Sequence, residues 1–183
     1  MLIKDFNLVV STYRNREGDC ISELWYFLHE EIEGKIIAQR TGLPGLVVAK
    51  VDANPFEVVD FFREITEENP WDLRFILKIV PIEATVETSL ENIRKCALEL
   101  AKRKIGPEDT FKVDPNIRLS LIHRHEIIEA IAPHIENKVD LDNPSKIIRV
   151  EVIGEVTGIS VLKPEYILSI AKIKRLKRFS DRF

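Results

Sequence analysis

Two apolar runs joined by a glycine turn, within residues 139–164, constrain the fold more than any other feature of the chain. An Asp-Asn-Pro turn at 142–144 precedes the first run, IIRVEVIG, which ends at Gly154. The second run, TGISVLKP, ends at Pro164. Since β-branched residues favour strands and Gly and Pro mark turns, this stretch predicts a β-hairpin.

The first eighty residues alternate between strand-like and helical patterns. Helical spacing of apolar residues predicts a helix between Asp19 and Gly34, and Asn54 followed by Pro55 is a typical start for a second one. The strand-like segments are 6–13, 35–40, 46–52 and 74–80. The order β-α-β-β-α-β predicts an N-terminal ferredoxin-like domain over residues 1–81.

The second half begins near Ile82 and mixes helices with strands. Thr88 and Glu91 fit a capping box for a helix that ends before Gly106. TFKV at 110–113 is strand-like, but Pro115 argues against its continuation because proline lacks a donor for the ladder.

A further helix is predicted over 123–135, where Pro133 ends its regular part, and a last helix starts at Pro164. We therefore predict an α+β chain. Its second domain is an α/β domain at 82–171, and a basic tail follows at 172–183.

Charge is distributed unevenly along the chain. The 183 residues carry 27 Lys and Arg against 30 Asp and Glu, a net charge of −3, yet six of the last twelve residues are basic. This end either meets a polyanion or is a solvated helix end whose cations suit the helix dipole.

Motifs for catalysis, metals and cofactors are absent from the sequence. There is no glycine-rich phosphate loop, no HExxH and no GxSxG. Cys20 and Cys96 form no CxxC pair, and a regular helix would point His123 and His125 away from each other. We therefore expect no metal, no cofactor and no enzymatic activity.

One alternative from another class stays open, a small phosphate-ester or acyl-phosphate enzyme. It would use Arg14 and Arg16, which precede a helix N-terminus where backbone N–H groups favour phosphate. A module that binds only proteins is a third possibility. No apolar run reaches the roughly 18 residues that a membrane span needs, and no cleavage signal is present, so we expect a cytoplasmic protein without membrane contact.

Several short sequence motifs in the second half occur together in one protein family. They are TFKV at 110–113, HRHEIIEAIA at 123–132, VDLDNP at 139–144, IRVEVIG at 148–154 and GISVLKPEY at 158–166. In this order, behind a ferredoxin-like half, they resemble the THUMP domain, an RNA-binding module of thiouridine synthases, RNA methylases and pseudouridine synthases.

The wording is most similar to stand-alone THUMP proteins. The resemblance implies a tRNA-binding adaptor for the acetyltransferase that forms N4-acetylcytidine in tRNA, with tRNA and that enzyme as partners. It also leaves open a THUMP protein that serves another tRNA-modifying enzyme. Only a helix and a basic tail follow Tyr166, so we expect no catalytic domain.

Under this hypothesis, basic side chains on one face hold the tRNA backbone. Arg149 alternates along its strand with Ile148 and Val150, so we expect it to face outward. Asn143 and Pro144 are expected to shape the turn that presents the cations. The candidate RNA-binding cations are Lys112, Arg118, Arg124, Lys138, Lys146, Arg149 and Lys163.

Overall fold

The computed structural model describes residues 3–180, and the chain forms two compact units. The first unit comprises residues up to Pro81 together with those from Tyr166 onward, and the second comprises Ile82–Glu165. Each unit has its own sheet and its own apolar core. In the described part of the chain, no helix is both long and apolar enough to cross a membrane.

The first unit begins with four strands and two helices in the predicted order. They are β1 (Leu8–Ser11), α1 (Glu17–Leu28), β2 (Ile36–Arg40), β3 (Leu46–Val51), α2 (Pro55–Glu68) and β4 (Lys78–Pro81). The strands lie in the order β2-β3-β1-β4, and neighbouring strands are antiparallel. This topology confirms the ferredoxin-like prediction.

Both helices pack on the same core. Leu24 of α1 and Phe62 of α2 are fully buried with Leu8 and Val10 of the central strand β1. Burying a large apolar side chain contributes about 1.5–3 kcal/mol, so this layer holds the unit together. The start of α2 is as predicted, since Asn54 Oδ1 accepts a hydrogen bond from Phe56 N at 3.0 Å.

The strand predicted at 74–80 is shorter in the structure, where β4 begins at Lys78. The reason is the carboxylate of Glu23 on α1. It accepts three consecutive backbone N–H groups, from Arg74 at 2.6 Å, Phe75 at 2.9 Å and Ile76 at 2.8 Å. Those donors therefore bind a side chain instead of a neighbouring strand.

The second unit contains a four-stranded sheet with two helices on one face. Its elements are β5 (Ala84–Glu87), α3 (Leu90–Lys104), β6 (Phe111–Arg118), α4 (Arg124–Ile131), β7 (Lys146–Ile153) and β8 (Val156–Leu162). The strand order is β5-β8-β7-β6, where β6 runs parallel to β7 and the other pairs are antiparallel. The β7–β8 hairpin is as predicted, and Gly154 supplies the positive φ of 59° in its turn.

Two local predictions for this unit are wrong, and the strand β5 was not predicted. The helix α3 is capped by Ser89, whose hydroxyl accepts from Asn92 N at 3.1 Å, rather than by Thr88. The strand β6 runs through Pro115. It tolerates the proline because β6 is an edge strand of its sheet and needs donors on one side only.

After β8 the chain returns to the first unit. A 3-10 turn at Pro164–Tyr166 leads to β9 (Leu168–Ser169), which pairs with β4 as a fifth strand, and then to α5 (Ile170–Ser180). Leu168 and Ile170 are buried in the first core. The last helix thus starts six residues later than Pro164, and the segment from Tyr166 lies with the first unit. The predicted tail extends to 183, and residues 181–183 lie outside the described range.

Replacing Glu23 with Ala should destabilise the first unit. The change leaves three N–H groups on the segment before β4 without their acceptor, and we expect the free energy of unfolding to fall by about 2 kcal/mol. Urea unfolding measures this. Glu64→Ala on the exposed side of α2 is the matched control and should change stability by less than about 0.5 kcal/mol. Equal effects of the two substitutions would contradict the bridging role of Glu23.

Candidate nucleic-acid interface

The parallel register of β6 and β7 brings charged side chains of the second unit together. Asp114 pairs with Arg149 and Asn116 with Glu151, so these four side chains share one face of the sheet. Arg149 forms an ion pair with Asp114, and its Nε lies 2.8 Å from Glu151 Oε1. This arrangement places one arginine between two carboxylates.

Two further arginines complete this group, which we term the ion cluster: Asp114, Asn116, Arg118, Arg124, Arg149 and Glu151. Arg118 Nη1 lies 2.6 Å from Glu151 Oε2. Arg124 at the start of α4 reaches Asp114 at 3.2 Å and donates to the carbonyl of Pro115. With its amide oriented to suit both neighbours, Asn116 accepts from Arg118 at 3.0 Å and from Arg149 at 3.2 Å.

The expectation that Arg149 faces outward is wrong. Arg149 is 6% exposed and Glu151 is 1% exposed. Burial alone would lower the pKa of Arg149, but Glu151 and Asp114 raise it. Burial alone would raise the pKa of Asp114, but Arg149 and Arg124 hold it below its ordinary value. A buried cation is tolerated here because it is paired and hydrogen-bonded.

Lys146 also bonds to groups of the protein. Its Nζ donates to the carbonyl of Lys104 at 2.7 Å and lies 3.7 Å from Asp109 Oδ2. Four of the seven predicted cations, Arg118, Arg124, Lys146 and Arg149, therefore bind acceptors within their own unit. Their charges maintain the fold before any ligand is present.

The remaining three predicted cations differ from these four in their partners rather than in exposure alone. Lys138 and Lys163 are exposed and Lys112 is half-buried. None of the three makes an ion pair with a residue in the 3–180 range. Within the described residues, these three cations have no carboxylate partner, whereas Arg124 is exposed but paired with Asp114.

The predicted turn is shaped mainly by a residue outside the predicted set. Asp140 Oδ1 accepts from Asp142 N at 3.1 Å and from Asn143 N at 2.9 Å. The N–H of Asn143 holds the pKa of Asp140 below its ordinary value. Asn143 is exposed, whereas Pro144 is buried and anchors the end of the turn. The turn therefore follows Lys138 and fixes the backbone on its C-terminal side.

A second set of exposed cations, which was not predicted from the sequence, lies on α3. They are Arg94, Lys95, Lys102 and Arg103. Lys102 lines a shallow depression together with His134 and Asn137. Asn137 Nδ2 fixes this edge by donating to the carbonyls of Gly106 at 2.8 Å and Asp109 at 2.9 Å. The run KRK at 102–104 was the available signal, and it places Lys102 near the segment that leads to Lys138.

The alternative of a phosphate-binding enzyme depends on the Arg14/Arg16 loop of the first unit. In the structure, the carboxylate of Glu17 binds backbone N–H groups at this loop. Glu17 Oε1 accepts from Gly45 N at 2.6 Å and Asn15 N at 3.2 Å, and the N–H of Gly45 lowers the pKa of Glu17. Arg16 Nη1 pairs with Asp19 at 3.1 Å. Glu17 and Asp19 thus place two carboxylates beside the position considered for a phosphate.

The cysteines and histidines show no arrangement for catalysis or metal binding. Burial raises the pKa of Cys20 to about 12, so its thiol is a poor nucleophile. The rings of His123 and His125 stack at 5.8 Å, contrary to expectation, because His123 is the extended residue before α4. No group of three or more potential ligands is placed for a metal within residues 3–180.

Asp114→Asn should destabilise the second unit in a pH-dependent way. It removes the carboxylate that faces Arg149 and Arg124, and we expect a loss of about 3 kcal/mol in the free energy of unfolding at pH 7. Because the folded-state pKa of Asp114 is lowered, this stabilisation is present above about pH 4 and is lost as the pH falls through the folded value.

Urea unfolding at pH 7 and pH 3 measures the effect. The difference between variant and wild type should be smaller at pH 3, because below the ordinary pKa of an aspartate the stabilisation by ionised Asp114 begins to be lost. Asp142→Asn in the exposed turn is the control and should leave stability nearly unchanged. A difference that stays constant between the two pH values is the result that would count against the ion cluster.

Residues 87–162 match the family model of the THUMP domain. The chain is 35% identical over 103 residues to THUMP domain-containing protein 1 of Mus musculus and of Homo sapiens. These matches cover 52% of this chain and 29% of each relative, so the chain spans less than a third of the length of these curated relatives.

Three solved structures share the fold. PH1313 from Pyrococcus horikoshii Ot3 has a TM-score of 0.59 at 21% identity, covering 87% of this chain and 55% of that one. TrmN from Thermus thermophilus has a TM-score of 0.58 at 20% identity, and the match covers 86% of this chain and 45% of that one. A 4-thiouridine synthetase solved with RNA and ATP has a TM-score of 0.55 at 18% identity, and the match covers 86% of this chain and 41% of that one. With the family match, the chain contains a THUMP domain, which spans residues 87–162.

Proposed function

We propose that this protein is a non-catalytic, cytoplasmic adaptor that binds tRNA and presents it to a modifying enzyme. The observation that carries the proposal is the THUMP domain at 87–162. THUMP-domain proteins bind RNA and are linked to tRNA modification. The favoured partner is the acetyltransferase that forms N4-acetylcytidine, because the sequence motifs of the second unit resemble those of the stand-alone adaptors.

The electrostatics of the second unit support binding to a nucleic-acid backbone. Lys138 and Lys163 are exposed, Lys112 is half-buried, and the solvent face of α3 adds four more cations. Side chains of this type contact phosphates without reading bases, which suits a protein that positions folded RNA. The ion cluster holds β6 and β7 of this unit together.

A second partner within the same class is another tRNA-modifying enzyme. A 4-thiouridine synthetase of this fold was solved in complex with RNA, which supports RNA binding without favouring acetylation. The two possibilities differ only in the partner. They are separated by an assay for product rather than by an assay for binding.

Removing two exposed lysines should weaken tRNA binding. For Lys138→Gln with Lys163→Gln we expect a roughly tenfold higher Kd, and the slope of log K against log salt should become shallower by about two, because each lysine neutralises one phosphate. Filter binding at several salt concentrations measures both quantities.

Lys4→Gln with Lys35→Gln is the matched control, since it makes the same change in net charge at exposed sites of the first unit. It should leave the Kd within about twofold. If both double variants weaken binding equally, net charge rather than this surface governs the interaction. If wild-type protein shows no salt-sensitive tRNA binding, the proposed function is wrong.

Reconstitution tests the adaptor role. Purified tRNA is incubated with its acetyl donor and with the acetyltransferase, this protein, or both, and N4-acetylcytidine is measured by mass spectrometry. We expect several-fold more product when both proteins are present, and none with this protein alone. Product from this protein alone would contradict the non-catalytic role. Tight tRNA binding without stimulation would assign the adaptor to another enzyme.

A further inference from the structure

The last helix of the first unit has a basic face. Lys174, Arg175 and Arg178 of α5 follow helical spacing and lie on one side. Ile170 and Ile173 of the same helix pack into the core. The helix is therefore fixed to its unit, while Arg175 and Arg178 are exposed and Lys174 is half-buried beside them.

Beside this face lies a depression of about 310 Å³, which we term the aromatic-basic groove: Tyr13, Lys174, Arg175, Arg178 and Phe179. Tyr13 is 50% exposed and Phe179 is 56% exposed. The volume is at the small end of ligand sites, which run from about 300 to 1,000 Å³. Open aromatic rings thus alternate with cations on one small surface.

Two of these cations are held in place by Trp71. Arg178 Cζ lies 4.8 Å from the centroid of the Trp71 ring, and Lys174 Nζ lies 5.4 Å from it. Lys174 also donates to the carbonyl of Leu73. Cation–π contacts of this kind fix the side chains before a ligand arrives. Arg175 is exposed and makes no ion pair with the described residues.

Acidic neighbours do not neutralise the groove. Glu23 attracts Lys174 electrostatically, but its carboxylate accepts three backbone N–H groups and forms no ion pair with the groove within residues 3–180, so one carboxylate faces three cations. Lys177, on the same helix, reaches only the backbone carbonyl of Glu67 at 3.3 Å. The positive charge of the groove remains available to an anion.

We propose that the aromatic-basic groove binds unpaired nucleotides of an RNA. Aromatic side chains stack on base faces while neighbouring cations meet the phosphates, and a base offers both faces only where it is unpaired. An acidic peptide would use the cations but would leave Tyr13 and Phe179 without a planar partner. The proposal deepens the proposed function and rests on it, since it names the part of the RNA that the first unit takes.

The test uses the full chain and two RNA probes. One is a blunt hairpin, and the other is the same hairpin with an unpaired extension of five adenosines, one replaced by 2-aminopurine. Wild-type protein should bind the extended hairpin more tightly and change its 2-aminopurine fluorescence. Tyr13→Ala and Phe179→Ala should each weaken binding of the extended hairpin about tenfold, and binding of the blunt hairpin should be unchanged.

Tyr26→Ala is the matched control, because Tyr26 is a tyrosine of the same unit that is 67% exposed and lies outside the groove. It should leave both affinities unchanged. Circular dichroism of each variant confirms that the fold is retained.

Two results overturn the groove and leave the proposed function intact. One is equal wild-type affinity for the two hairpins, and the other is an equal effect of Tyr13→Ala and Tyr26→Ala. Displacement of the extended hairpin by polyglutamate but not by free oligoadenosine also overturns it, in favour of an acidic peptide. If neither hairpin nor tRNA binds, the proposed function fails together with the groove.

Discussion

The second unit depends on the parallel alignment of β6 with β7, where three arginines meet two carboxylates. Replacing a buried ion pair with apolar residues is often neutral or stabilising, so the ion cluster is not needed for stability alone. Its more specific effect is on register. Shifting β6 by one residue would move Asp114 and Asn116 to the other face, so the buried Arg149 would lose both of them and keep Glu151 of its own strand. The cluster therefore disfavours misaligned pairing of the two strands.

This arrangement separates the structural cations from the cations that we propose to bind RNA. A guanidinium that neutralises Asp114 or Glu151 cannot also neutralise a phosphate unless it leaves that carboxylate. An unpaired carboxylate inside the protein costs several kcal/mol. Lys112, Lys138 and Lys163 make no ion pair with the described residues and have no such obligation. Lys138 stands next to a turn that Asp140 closes, so its backbone is fixed while its side chain is exposed. The rigid cluster and the exposed lysines thus have different tasks in one domain.

Sequence patterns predicted what depends on neighbours along the chain. The Asn54 cap, the β7–β8 hairpin and the β-α-β-β-α-β order follow from local spacing and turn residues. Pro115 was misread because its cost depends on whether its strand lies at an edge, which only the assembled sheet decides. Arg149 was misread for a related reason, since alternation assigns a side chain to a face without telling what covers that face.

Charge at the end of the sequence has a different meaning once its partners are known. In the sequence, six of the last twelve residues are basic, and nothing distinguishes one of these cations from another. In the structure, Lys174 bonds to the carbonyl of Leu73 and Arg178 lies over Trp71. These side chains have already lost rotamer freedom on folding. Binding an anion then costs less entropy than it would for a flexible tail, so an ordered helix holds its ligand more tightly than the same charges without order.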